Sequence, residues 1–181
     1  MQLRRKTMTR SIRLAMTLAA LAIGLAAATG DPQAAVQMEH LTFTAALSPA
    51  SEVPPVTNAE SKGSGEVTIA LHVTRDASKA ITAATAEFKG SLKGFPADTA
   101  ITAAHIHRGA AGTNGGVAVN PAFKAGEIVL SGGAGSFAKA GVTVTPAVAQ
   151  EIVSGPASFY FNVHSSMNAG GVARGQLGPA K

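Results

Sequence analysis

The chain contains no cysteine and no tryptophan, a single tyrosine and seven phenylalanines, and only 14% of its residues are charged. Without cysteine there can be no disulfide and no thiolate metal site, so stability rests on the packed core and any metal must be held by nitrogen or oxygen. Long apolar runs are scarce as well. The best candidate, residues 14–28, offers 15 residues with only Thr17 as a polar side chain, short of the roughly 20 that a bilayer-spanning helix needs. No later stretch could span a bilayer.

What precedes that run is basic: Arg4, Arg5, Lys6, Arg10 and Arg13. A positive start, an apolar centre and an A-x-A site at Ala26-Ala27-Ala28 are the order of a secretory signal peptide over residues 1–28. The expectation is export to a periplasm or beyond the cell, with no stable membrane insertion after cleavage. Arg4-Arg5 is not followed by Phe-Leu-Lys, which favours general secretion over the twin-arginine route. All five of these basic residues leave with the segment, and the remaining ten basic residues face ten acidic ones. A neutral mature chain with scattered lysines lacks the basic stripe that nucleic acid demands.

Roughly 150 residues then remain, a length that suits one domain and buries about 70% of the unfolded surface. Residues 29–40 read as a flexible lead-in, and the domain is expected over 41–181. From Leu41 apolar and polar residues alternate as in a half-buried strand, until Pro49, Pro54 and Pro55 impose a rigid loop. Residues 63–74 repeat the alternation, with Val67, Ile69, Leu71 and Val73 inward. Residues 80–88, alanine-rich, are read as a third strand ending at a loop over 90–98. Short strands are expected at 117–120 and 127–130, with a glycine turn at 131–136. Thr145-Pro146 opens a short helix, capped by the threonine and stopped at Gly155. Strands at 158–164 and 172–177 end the chain. Seven or eight short strands with one helix near 146–154 indicate an all-β, antiparallel β-sandwich of Greek-key type.

Residues 99–116, TAITAAHIHRGAAGTNGG, organise the functional reading. On a strand His105 and His107 project to one face while Ile106 points to the other. His164 occupies a similar alternating run, with Phe159, Phe161 and Val163 on one face and Tyr160, Asn162 and His164 on the other. If the two strands meet, three imidazoles could hold a metal ion, copper before zinc on affinity grounds, with Asn162 or Tyr160 supporting them. The alternative is that the histidines only form hydrogen bonds at strand ends. His72 and His40 are candidate fourth ligands. Arg174, between glycines, could bind an anion, pair with Glu52 or cap backbone carbonyls. The glycine loop lacks the Gly-Lys-Ser/Thr of a phosphate loop, and no Gly-x-Ser-x-Gly elbow supports a hydrolase triad.

Three segments, FTAALSPASEVPPV (43–56), AHIHRGAAGTNGGV (104–117) and YFNVHSSMNAGGVARGQL (160–177), together resemble the CHRD domain, the module named after chordin and found in many bacterial exported proteins. The chain departs from the family's usual pattern at Ala169, Val172 and Ala173. The family gives a domain rather than a chemistry. More loosely, the His-x-His pair, the glycine loop, the later histidine and the arginine are similar to copper/zinc superoxide dismutases. That similarity implies His105, His107 and His164 as copper ligands and Arg174 as an anion guide. The dismutase zinc loop has no counterpart, so it implies copper alone. The sequence thus leads to an exported metal-binding protein in metal handling or oxidative defence. Its alternatives are a non-enzymatic module for an extracellular protein partner, and a copper-only dismutase-like enzyme.

Overall fold

The computed structural model describes residues 36–124 and 126–180; the proposed signal peptide and the first part of the lead-in lie outside them. Nine strands are formed among the described residues: β1 (Gln37–Leu47), β2 (Ser64–Arg75), β3 (Ile81–Lys93), β4 (Ile101–Arg108), β5 (Val117–Val119), β6 (Gly135–Val144), β7 (Phe159–Ser165), β8 (Ala173–Gln176) and β9 (Gly178–Pro179). They build two sheets, ordered β6-β3-β2-β1-β9 and β5-β4-β7-β8, and every pairing is antiparallel. The all-β sandwich expected from the alternation is therefore what the chain forms.

Alternation decides which residues meet between the sheets. Val67, Ile69, Leu71 and Val73 of β2 are all buried, as are Phe43, Ala45 and Leu47 of β1. From the smaller sheet come Ala104 and Ile106 of β4 and Phe159, Phe161 and Val163 of β7. Phe161 joins the two layers, its ring 5.9 Å from that of Phe88 and stacked 6.0 Å from that of Phe137. The helix α1 (Pro146–Ser154) starts where Thr145 caps it, its hydroxyl accepting from the Val148 backbone N–H at 3.3 Å. Val148, Ala149 and Ile152 are its buried face, and it packs against β3.

Four details differ from the sequence reading. β1 begins at Gln37, within the expected lead-in, because residues 37–40 pair with the end of β2. β3 continues to Lys93, through a glycine that the sequence suggested as its end. Gly90 faces Phe137 across the ladder, and a Cβ there would lie 2.3 Å from the phenylalanine ring, so the position needs to be bare for the aromatic to cover it. β6 forms at Gly135–Val144, where the sequence pattern predicts no strand. Conversely, residues 127–130 form no strand: Glu127 folds back to accept from the Lys124 backbone at 2.7 Å and from Lys139 at 2.8 Å, leaving Ile128 buried and Val129 exposed.

Phe161→Ala removes the ring that contacts both layers and leaves a cavity in a core with no disulfide to hold it. The variant is expected to lose about 3–5 kcal/mol of stability, measured by urea unfolding.

Candidate metal centre

The outer face of the smaller sheet carries the chemistry, and cross-strand register places it there. In β4 and β7 His105 lies opposite Asn162, His107 opposite Tyr160, and Ala103 opposite His164. β8 extends two of these rows, with Arg174 beside Asn162 and Gln176 beside Tyr160. His164 is thus the diagonal neighbour of His105, a spacing that long side chains bridge. One ring nitrogen from each of His105, His107 and His164 lies within 4.8 Å of one from each of the others. The sequence reading made this grouping conditional on the two strands meeting, and β4 and β7 do pair.

An outer sheet face is ordinarily wet, yet every residue of β7 is buried. Loops 48–62, 109–116 and 166–172 cover it, and their backbone carbonyls orient the imidazoles. His107 Nδ1 lies 3.0 Å from the Gly115 carbonyl oxygen, and His164 Nδ1 lies 3.0 Å from that of Ala169. A carbonyl oxygen only accepts, so both Nδ1 atoms carry the proton, and in the neutral ring each Nε2 keeps a bare lone pair. His105 Nδ1 sits 3.1 Å from His164 Nε2 and donates to it. His107 Nε2 is buried and finds no hydrogen-bond partner among the described residues. A buried, unpartnered nitrogen on a ring 5.6 and 5.8 Å from two other imidazoles is the arrangement a metal ion satisfies.

Burial disfavours the charged form of two of the three imidazoles. Burial, followed by the proximity of His164 and His107, drives His105 down to about 4. His164 is also lowered, by burial and by His107, against the hydrogen bond to Ala169. Neutral imidazoles need lose no proton to the solvent before binding a cation.

The supports differ from those suggested by the sequence. Tyr160 does not bond a histidine; its ring stacks on His107, 5.1 Å between centroids and 9° between planes, and its hydroxyl accepts from the Gly115 N–H at 3.3 Å. Asn162 fills the row between His105 and Arg174 without reaching either imidazole. Arg174 is 1% exposed, lies 4.2 Å over the Tyr160 ring, and donates at 3.0 Å to the Thr113 carbonyl and the Asn114 side chain. It braces the loop that positions His107. His40 and His72 are not fourth ligands: they face each other across β1 and β2 in the larger sheet.

Other supports left no mark that the motifs could reveal. Buried Glu60 accepts from Ser165 Oγ at 2.6 Å and from Asn168 Nδ2 at 2.5 Å, which fixes the loop carrying Ala169. Glu52 closes over Gly171 together with Asn162. Burial pushes the Glu52 carboxyl up to about 7, against the pull of the Arg174 guanidinium.

Two outcomes follow from these contacts. A Cβ at Gly115 would lie 1.7 Å from the Arg108 carbonyl oxygen, so Gly115→Ala must displace the loop that holds His107. Metal affinity should fall by about 10–100-fold, as when an orienting partner is lost, with the circular dichroism spectrum unchanged. For Glu52 the folded-state value of about 7 exceeds its ordinary 4.5, so the folded state holds the extra proton between them and its stability falls as pH rises through that window. Glu52→Gln removes this loss and should gain on the parent protein between pH 5 and pH 8 in denaturant titrations; a gap that does not widen toward pH 8 would contradict the assignment.

No curated protein and no solved structure matches the chain. A family model does: the CHRD domain matches residues 43–177. That span contains all three histidines of the cluster, the loops that cover them and nearly all of both sheets, and the chain belongs to the CHRD domain family.

Proposed function

We propose that this CHRD protein is exported and binds one copper ion through His105, His107 and His164, serving metal handling or oxidative defence outside the cytoplasm. The observation that carries the reading is the buried Nε2 of His107, without a hydrogen-bond partner among the described residues, beside two imidazoles whose Nδ1 protons are already committed. An all-nitrogen donor set suits copper and zinc, and divalent copper binds such sites most tightly among first-row ions. Export is supported by the basic start, apolar run and small-residue site of residues 1–28.

When bound, the ion would supply Lewis acidity or a redox centre; the chain's own residues orient it and limit its contact with water. His107 and His164 are each 9% exposed, whereas His105 is half-buried and the most accessible of the three. A small molecule would approach past His105. Arg174, committed to the loop, is not positioned by these contacts to guide it.

Calorimetric titration of the purified protein with copper and with zinc at neutral pH tests the reading, with His105→Ala/His107→Ala alongside. The double variant should keep its fold and lose more than about 100-fold in affinity at this site, beyond the cost of one orienting partner. Equal binding by both proteins, or global unfolding of the variant, would assign the histidines to bracing the sandwich. Superoxide turnover by the copper-loaded protein then separates oxidative defence from metal handling.

A further inference from the structure

The chain has five histidines, and three form the cluster in the smaller sheet. The remaining two are not scattered. His40 of β1 and His72 of β2 are directly paired in the antiparallel ladder on the outer face of the larger sheet. Their rings meet edge to face, 4.5 Å between centroids, with the two Nδ1 atoms in contact. Two imidazoles facing through Nδ1 can share one proton between them, or one cation.

The surroundings favour a cation. His72 Nε2 is buried without a hydrogen-bond partner among the described residues, and Glu87 Oε1 of β3 stands 3.6 Å from it. A metal on His72 Nδ1 fixes the proton on Nε2, where it faces that carboxylate: the carboxylate–histidine–metal order that raises ligand basicity. A shallow groove runs beside the pair, lined by Met38, Glu39, Thr74 and Thr85 as well as the histidines. Met38, two residues before His40 on the same strand face, is 73% exposed and offers a thioether to the same groove. Imidazole with a thioether is a copper-type donor set.

We infer that His40 and His72 form a second metal site, open to solvent, that takes a copper-type ion with Glu87 supporting His72. It shares no residue with the three-histidine cluster and belongs to the other sheet, so either site can exist without the other. Two ligands at an exposed surface hold an ion more weakly than three in a covered one, and release it faster.

The test is metal stoichiometry, with Cu(II) and Zn(II) as probes, on five forms of the purified protein checked for fold by circular dichroism. The parent should bind two equivalents. His105→Ala/His107→Ala/His164→Ala should retain one, and that one should vanish when His40→Gln and His72→Gln are added. His40→Gln/His72→Gln alone should retain only the tighter equivalent. Glu87→Gln should leave the count at two and weaken the outer site by about 10–100-fold. A folded triple variant that binds no metal, or binding by it that survives His40→Gln/His72→Gln, would overturn the inference. Loss of the tight equivalent from the parent would instead overturn the three-histidine reading and leave this site standing. Should the triple variant unfold, His40→Gln/His72→Gln decides alone: a count equal to the parent's contradicts the second site.

Discussion

Two backbone carbonyls, those of Gly115 and Ala169, govern this site more than any side chain does. Each accepts a hydrogen bond from the Nδ1–H of a histidine and so leaves the opposite nitrogen as the one available to a metal. A side-chain acceptor could swing away or titrate; a carbonyl in a braced loop does neither. The bracing therefore matters as much as the bond. Arg174 and Tyr160 tie down the loop before β5, while Glu60, through Ser165 and Asn168, ties down the loop after β7. A fully buried arginine and two buried glutamates in a chain with few charges are costly to place away from water. Their position around the loops is consistent with holding a geometry rather than with adding stability.

Burial and neutrality work together here. Covering the outer sheet face with three loops lowers His105 and His164 and raises Glu52, so the whole patch carries less charge than its composition suggests. The two kinds of group respond oppositely to pH. Stability owed to the lowered histidines is lost on acidification below about 6.5, their ordinary value, while Glu52 contributes its penalty as pH rises toward 7. The two effects thus oppose each other across the mildly acidic range, where His105 and His164 resist protonation and Glu52 resists its loss.

Much of this was legible in the chain because period two is a strong signal when one face is apolar. The alternation through Val67, Ile69, Leu71 and Val73 located β2, and Thr145-Pro146 with Gly155 located the helix. His105 and His107 had to share a face once β4 was a strand. His164 was different, since its meeting with His105 depends on the register of β4 with β7, a contact 59 residues apart in sequence. β6 escaped because its alternation is diluted by Ala138, Ala140 and Gly141, and its register with β3 shifts at a bulge. Residues 127–130 looked like a strand from Ile128, Val129 and Leu130, yet the Glu127 contacts to Lys124 and Lys139 bend them into a turn. The orienting carbonyls could not be read at all, because every residue has one and only the folded loop selects which is used.

The histidine tautomers test the central claim most directly. Long-range 15N–1H correlation spectra of the purified protein at pH 7, before and after one equivalent of Zn(II), report which ring nitrogen of each histidine holds the proton. The account predicts Nδ1–H for His107, His164 and His105 before metal. On binding, the Nε2 signals of His107 and His164 should shift, and the His105 proton should pass from Nδ1 to Nε2. Nε2–H forms of His107 and His164, unchanged by the metal, would contradict it.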